Sequence, residues 1–371
     1  MSDVVGPPIP SDPAFLLPFG IGGTFKSTQA AALAAAGGVA FALPTGMEPL
    51  KSWLGVQAVV LDRDVNGETY SDAWRQHVFG AYIPAAIKAG IFVIMQPKDI
   101  SQALGWLPWL RAAGVWCVVF DDLSLFASDV EQDLRAKAAA IAVAQKNSKG
   151  PDTRKVYGEL KEVGVHLRRA IIDTGLTVVV NAHEKVGEDG KGRPEFPGSG
   201  LRDQLVYSAS VVVRTASDPE IWGARRMAYR TSALWEGKNR LTPGGAPSVA
   251  PANLRALLTD TGRTIPRVRG LEWQDGVMYG VCEALVAGDS YPSLVQKYVE
   301  WGEAANLNPA HVSWAIHDGY ALSAYALHRL GGRNYMSALL AGGPPTLLPG
   351  VQGTPAIPPP QAPLAPAVPT H

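Results

Sequence analysis

The most chemically informative segment of this chain is a glycine-rich turn that ends in a lysine and two hydroxyl side chains. It covers residues 20–28 (Gly-Ile-Gly-Gly-Thr-Phe-Lys-Ser-Thr) and lies between an apolar run and an alanine-rich segment. Such a turn between a strand and a helix points backbone N–H groups at phosphate, while its lysine reaches the β- and γ-phosphates and its hydroxyl ligates Mg²⁺. The pattern predicts a phosphate-binding loop formed by Gly20, Gly22, Gly23, Thr24, Phe25, Lys26, Ser27 and Thr28.

Phe25 departs from the G-x-x-x-x-G-K-[ST] pattern, because it occupies the position of the second glycine. Glycine at that position lets the backbone approach phosphate closely. A strand-to-helix turn without a ligand is therefore the alternative interpretation. We expect Gly22 and Gly23 to supply the flexibility that the loop needs, so that phosphate binds but turnover is slow.

Two adjacent carboxylates, Asp121 and Asp122, directly follow the apolar run at 115–120. A carboxylate at the end of a buried strand, downstream of a phosphate loop, is the expected partner of Mg²⁺. We predict that Ser27 and Asp121 hold Mg²⁺ and that Asp122 orients or deprotonates the attacking water. Glu48, just beyond the second apolar run, is another candidate for the general base. A helix-capping aspartate and a surface glutamate are the structural alternatives.

Polar residues also follow a later apolar run. His183 comes shortly after residues 178–180, at a position where a side chain can contact the γ-phosphate. The segment 185–200 is polar and glycine-rich, and basic side chains around an aromatic ring can hold a phosphate backbone and stack a base. The candidate nucleic-acid contacts are Lys185, Lys191, Arg193 and Phe196, and a solvated loop is the alternative.

These candidate residues require a scaffold that brings the ends of distant segments together. Strands are expected at 15–17, 39–43, 58–61, 92–95, 115–120, 177–181 and 210–214, and helices at 27–36, 71–89, 101–113, 128–146 and 154–174. Continuous apolar strands suit a sheet that is covered on both faces. We therefore predict an α/β fold with a mostly parallel sheet flanked by helices. Ligands of such sheets bind at the carboxyl ends of the strands, where the candidate residues lie.

Composition divides the chain into four parts. Residues 1–13 are expected to form a flexible arm, residues 14–250 the α/β domain, and residues 251–341 a small helical region. Residues 342–371 are rich in proline and almost uncharged, which predicts a disordered or polyproline-like tail. A docking segment for a partner protein is the other role considered for this tail.

Charge and cysteine content exclude several classes of protein. The formal net charge is zero, so no global field draws the chain to nucleic acid or to an acidic membrane, and any nucleic-acid site must be a local patch. The two cysteines are far apart and the histidines show no H-E-x-x-H motif, which argues against zinc and a disulfide framework. Residues 1–13 lack the basic and apolar regions of a signal peptide, so we expect a cytoplasmic protein without a membrane span.

In this order, the motifs resemble the RecA-like ATPase core over roughly residues 14–245. Along the chain the order is the one that this family shows: the phosphate loop, Asp121, His183 and then the run Lys238-Asn239-Arg240. The segments 178–184 and 196–214 are most similar to phage-encoded Sak-type ATPases of single-strand annealing and recombination. The resemblance implies a RecA-like P-loop fold with ATP and Mg²⁺ as ligands. It also implies hydrolysis in a ring or filament, where Lys238 and Arg240 reach the ATP of the neighbouring subunit.

The same resemblance implies a partner and a compartment. Single-stranded DNA would be held by loops that follow the strands of Asp121 and His183, with residues 185–200 as one loop and the basic stretch 146–161 as a candidate for the other. For a phage-encoded protein the compartment is the cytoplasm of the host.

Three functions remain open from the sequence. The first is a DNA-dependent ATPase of phage-type recombination, annealing or replication, in which His183 senses the γ-phosphate. The second is a RepA-like hexameric replicative helicase, which uses the same motifs. The third is a nucleotide-binding structural or assembly protein with a degenerate phosphate loop, and Phe25 is its main support.

Overall fold

The structure is a computed structural model that describes residues 13–21, 26–42, 58–61, 72–145, 150–215, 253–260, 263, 265–266, 268 and 271–331. The strands in these ranges are β1 (Phe15–Gly20), β2 (Val39–Ala42), β3 (Ala58–Leu61), β4 (Phe92–Met95), β5 (Cys117–Asp121), β6 (Thr177–Val180), β7 (Ala182–Val186), β8 (Gly192–Pro194) and β9 (Val211–Thr215). The helices are α1 (Lys26–Ala35), α2 (Asp72–His77), α3 (Ile83–Ala89), α4 (Ile100–Ala112), α5 (Leu123–Ala144), α6 (Thr153–Thr174), α7 (Ser199–Ser208), α8 (Leu254–Asp260), α9 (Trp273–Ala287), α10 (Tyr291–Ala304) and α11 (Pro309–Gly331). A π-helical turn, Val78–Tyr82, joins α2 to α3.

The described strands form one sheet, in which every pairing is parallel except that of β7 with β8. Its main body has the order β3-β4-β2-β5-β6-β1-β9. β7 continues the line of β6, because both pair with β1 in the same register: Leu16 is opposite Val179, and Gly20 is opposite His183. The carboxyl ends of β5, β6 and β1 therefore lie side by side at one end of the sheet.

Helices cover both faces of this sheet. Successive strand residues point to opposite faces, so Leu16 belongs to one hydrophobic core and Leu17 to the other. The first core contains the alanine-rich α1 together with α8, α9 and α11, and the second contains α3 to α7. The helix that follows the glycine-rich turn is thus held between the sheet and the C-terminal helices.

An internal polar cluster joins the C-terminal helices to α1. The backbone N–H of Leu254, at the start of α8, donates to Oε1 of Gln29 in α1 at 3.3 Å. The fully buried Asp318 of α11 accepts hydrogen bonds from Asn253 and from Arg255. Burial raises the pKa of the Asp318 carboxyl to about 6, although the charge of Arg255 and the hydrogen bonds from both partners lower it.

The structure confirms the predicted α/β class, with a mostly parallel sheet flanked by helices and a helical segment toward the C-terminus. Two local features differ from the predictions. Helix α5 begins at Leu123 rather than at 128, because the side chain of Asp122 caps it there. The segment 185–200, expected as a loop, instead contributes the end of β7, all of β8 and the start of α7. Residues 1–12 of the predicted arm and the predicted tail lie outside the described residues.

Candidate functional site

The hydroxyl of Ser27 and the carboxylate of Asp121 meet at the carboxyl end of the sheet. Ser27 lies in the first turn of α1, Asp121 is the last residue of β5, and β6 separates β5 from β1. Ser27 Oγ donates a hydrogen bond to Asp121 Oδ1 at 3.0 Å, across 94 residues of sequence. The structure therefore brings together the two residues that the sequence predicts as Mg²⁺ ligands.

The ammonium group of Lys26 is buried beside them. Its Nζ donates to the carbonyl oxygen of Gly20, the last residue of β1, at 2.9 Å and to that of Ile21, the next residue, at 3.0 Å. Burial lowers the pKa of this lysine, while the negative charges of Asp122, Asp121 and Glu184 act in the opposite direction. A buried cation held by neutral carbonyls, close to the start of a helix, is suited to attracting an anionic ligand.

Asn181 is a site residue that the sequence analysis did not select. It follows β6 directly and is completely buried, and its Nδ2 donates to Asp121 Oδ1 at 2.7 Å. Its Oδ1 is buried without a hydrogen-bond partner among the described residues. Buried polar atoms are usually paired, so an unpaired oxygen next to Asp121 indicates room for a further donor or a cation.

Asp122 connects the site to His183 and to α5. One carboxylate oxygen, Oδ1, accepts from the backbone N–H of Ser124 at 2.6 Å and caps α5. The other, Oδ2, lies 3.1 Å from Nε2 of His183. Ser124 Oγ accepts from the N–H of His183 at 3.1 Å and donates to the carbonyl of Glu195 at 2.6 Å. Asp122 is therefore both a helix cap and the partner of the predicted phosphate sensor.

The charges at this end of the sheet fit a divalent cation. Burial raises the pKa of both carboxyls, Asp121 and Asp122, and the charge of Asp122 raises that of Asp121 further. Hydrogen bonds and the charge of Lys26 lower the pKa of both, and the charge of His183 is the largest cause that lowers the pKa of Asp122. A cation bound beside these two buried carboxyls would favour their ionised forms, in the same direction as Lys26. Carboxylate, hydroxyl and amide oxygens are the donors that Mg²⁺ prefers. The Ser27, Asp121 and Asn181 oxygens therefore fit the predicted metal.

The remaining predicted residues are distributed differently. Thr28 is half-buried in α1, Lys185 and Lys191 are exposed, and Phe196 packs partly buried against the core of α3 to α7. Arg193 forms an ion pair with Asp189 at 2.5 Å. The predicted residues Gly22, Gly23, Thr24, Phe25, Glu48, Lys238 and Arg240 lie outside the described part of the chain.

A groove of about 590 Å³ lies between α6 and the start of α7. It is lined by Tyr157, Gly158 and Lys161 on one side and by residues 198–200 on the other. The guanidinium of Arg135 lies 5.6 Å from the centre of the Tyr157 ring and donates to its hydroxyl at 2.9 Å. The groove thus combines a partly exposed aromatic ring with the cation of Lys161, while Arg135 beside the ring is ion-paired with Glu131.

Among the helices in the described ranges, none has the length and apolar content that a membrane span requires. In the same ranges, no group of three or more His, Cys, Asp or Glu side chains is arranged to hold a metal ion. A cation at Asp121 would accordingly need oxygen ligands from Ser27, from Asn181 or from a bound phosphate.

Comparisons with known proteins add little to these observations. No family model and no curated protein matches the chain. Among solved structures it is similar to a KaiC-like protein from the hyperthermophilic archaeon Pyrococcus horikoshii OT3, with 14% identity over 60% of this chain and 76% of that chain and a TM-score of 0.29. A likeness of this degree establishes neither fold nor activity, so the proposals below depend on the residues of this chain.

Proposed function

We propose that this protein binds ATP with Mg²⁺ at the carboxyl ends of β1, β5 and β6 and hydrolyses it, as a RecA-like P-loop ATPase. The observation that supports this most is the contact of Ser27 with Asp121, which joins a strand-to-helix turn to a strand end 94 residues away. Lys26 and Asn181 complete the group with a buried cation and an unpaired oxygen. An incidental Gly-rich turn does not require these polar groups to be buried together.

Each residue then has a distinct task. Lys26 exchanges its carbonyl partners for phosphate oxygens, and the N–H groups at the start of α1 face the same anion. Ser27 and Asp121 hold Mg²⁺, with Asn181 fixing the Asp121 carboxylate. When bound, Mg²⁺ neutralises charge on the phosphate oxygens. Asp122 keeps His183 turned toward the phosphate end of the site.

ATP turnover with a lysine variant tests this proposal. Lys26→Ala removes the charge that offsets the γ-phosphate, and we expect turnover to fall about a hundredfold or more, as when a preorganised donor is lost. Lys88→Ala is the matched control, because Lys88 is an exposed lysine on α3. If the wild type hydrolyses ATP no faster than Lys26→Ala, the ATPase proposal is lost. If it nevertheless binds ATP, the structural or assembly role with a degenerate loop is the one that survives.

Single-stranded DNA is the partner that we propose for the groove of Tyr157 and Lys161. A nucleobase can stack on the partly exposed Tyr157 ring, and Lys161 can neutralise the backbone. Gly198 supports this, because a Cβ there would lie 3.1 Å from the Tyr157 ring, so glycine lets the two elements approach closely. The groove adjoins the segment 185–196, which holds the predicted contacts Lys185, Lys191, Arg193 and Phe196.

Binding of a fluorescent oligothymidine tests this partner. Tyr157→Leu removes one stacking ring, which is worth about 1–3 kcal/mol, or roughly 5- to 150-fold in affinity. Lys161→Gln should reduce the slope of log affinity against log salt by about 0.7. Tyr279→Leu is the control, since Tyr279 is an exposed tyrosine on α9. If the wild type and both groove variants bind the oligothymidine with equal affinity, the groove is not the DNA-binding site.

Recombinase and helicase differ in one assay. ATPase stimulation by single strands without unwinding favours the annealing or recombination role, whereas processive strand separation favours the hexameric helicase. Both roles need a homo-oligomer in which Lys238 and Arg240 act on the neighbouring ATP. Mixing Lys26→Ala subunits with Arg240→Ala subunits tests this, because partial recovery of turnover requires a site shared between subunits.

A further inference from the structure

A buried ion pair crosses the end of β1 immediately before the glycine-rich turn. Glu184 belongs to β7 on one side of β1, and Arg214 belongs to β9 on the other. Arg214 Nη2 lies 2.7 Å and its Nε 2.9 Å from Glu184 Oε1. The Glu184 side chain is almost completely buried, whereas about a third of the Arg214 side chain is exposed. A buried carboxylate of this kind needs its cation.

Gly192 of β8 lies against this pair. A Cβ at Gly192 would be 2.8 Å from Arg214 Nε and would overlap Oε1 of Glu184. The hairpin of β7 and β8 therefore packs onto the ion pair with no space for a side chain. The pair thus joins three strands, β7, β8 and β9, around the end of β1.

The ion pair is also adjacent to His183, because Glu184 follows His183 directly in β7. Successive residues of a strand point to opposite faces. Glu184 forms the ion pair on one face of β7, and His183 reaches Asp122 from the other face. His183 is opposite Gly20 in β1, and its ring nitrogen lies 3.1 Å from Asp122. The charge of Glu184 is also close enough to act on Lys26.

We propose that Glu184 and Arg214 are positioning residues for ATP turnover. Their ion pair fixes β7, so that the His183 ring keeps its contact with the Asp122 carboxylate beside the phosphate loop. This inference rests on the proposed ATPase function, but it makes a separate prediction about the imidazole of His183. Neither member of the pair is a predicted ligand of the metal or of the phosphates. Its loss should therefore reduce kcat and leave the KM for ATP nearly unchanged.

Charge-removing and conservative variants test this inference. Arg214→Gln leaves the buried Glu184 unpaired, so kcat should fall at least about tenfold, as expected for a misplaced catalytic group. Arg214→Lys keeps the charge and should recover part of that loss. Glu184→Gln should be milder than Arg214→Gln, because a partly exposed arginine can turn to solvent. Arg202→Gln, which breaks an exposed ion pair with Asp203, is the control.

The ring resonances of His183 give a readout that does not require ATP. They are assigned with His183→Gln and compared at one pH between the folded wild type and each variant. We expect them to shift in Arg214→Gln and to stay in place in Arg202→Gln. Unchanged His183 resonances and an unchanged kcat in Arg214→Gln would overturn this inference. If the wild type hydrolyses no ATP but the His183 resonances still shift in Arg214→Gln, the positioning of His183 is upheld and only the ATPase proposal is refuted.

Discussion

Replacing Asn181 with leucine separates the stability of the fold from the affinity of the site. Leucine has the same branched arrangement of side-chain heavy atoms as asparagine, and the position is completely buried. The change removes a hydrogen bond of 2.7 Å to the carboxylate of Asp121. It also removes Oδ1, a buried oxygen that has no hydrogen-bond partner among the described residues.

The two effects on stability have opposite signs and similar sizes. A hydrogen bond to a charged group contributes about 1.5–3 kcal/mol, and a buried polar atom without a partner costs about 1–3 kcal/mol. The free energy of unfolding of the metal-free protein should therefore change by less than about 2 kcal/mol. The affinity for Mg²⁺-ATP has no such compensation, because Asp121 loses its positioning donor. Loss of a partner that orients a metal ligand weakens metal binding roughly ten- to a hundredfold.

Urea unfolding without metal and calorimetric titration with Mg²⁺-ATP measure these two quantities on the same variant. The reasoning requires a near-neutral change in the first and a large loss in the second. A variant that binds Mg²⁺-ATP like the wild type, yet unfolds several kcal/mol more easily, would refute it. Asn181 would then be a structural residue of the core.

Three further predictions follow from other contacts. Ser27→Ala removes a predicted metal ligand, so the Mg²⁺ concentration for half-maximal ATP binding should rise at least about tenfold. EDTA should abolish the difference in ATP binding between this variant and the wild type. Equal Mg²⁺ requirements of the two proteins would contradict the assignment of Ser27. The folded-state pKa of Asp318, raised from 3.8 to about 6, means that the folded protein holds an extra proton between these values. Stability should therefore fall as pH rises from 3.8 to about 6, and thermal unfolding across this window should show a smaller fall for Asp318→Asn. At Gly38 an added Cβ would lie 2.7 Å from the backbone of Ala34 and of Cys117, so Gly38→Ala should destabilise the protein by about 1–3 kcal/mol in urea unfolding. Its control Gly105→Ala, in open space on α4, should stabilise it by up to about 1 kcal/mol.

The elements that carry the site could be predicted because their signal is local. Apolar runs such as 115–120 lie on central strands that are buried on both faces, so they stand out from the sequence alone. The start of α5 cannot be predicted in this way, because its first residues, 123–127, are mostly apolar and mostly buried. The helical alternation of polar and apolar residues begins only where α5 becomes exposed.

The features that the sequence did not indicate depend on contacts between distant segments. Asn181 acts on Asp121 across 60 residues, and this contact exists only because β6 lies beside β5 in register. The hairpin of β7 and β8 is polar and short, so it has no hydrophobic period to detect. The pairing of Glu184 with Arg214 likewise depends on β7 and β9 flanking β1.

The most direct test of the central claim is the equilibrium binding of Mg²⁺-ATP to the wild type and to Asp121→Asn, measured by calorimetry with and without EDTA. Asp121→Asn keeps the size of the side chain and removes the charge that would hold the metal. We predict that the wild type binds ATP more tightly with Mg²⁺ than with EDTA, and that Asp121→Asn binds it equally weakly in both. The account would be contradicted if the wild type does not bind ATP, or if it binds ATP with the same affinity with and without Mg²⁺.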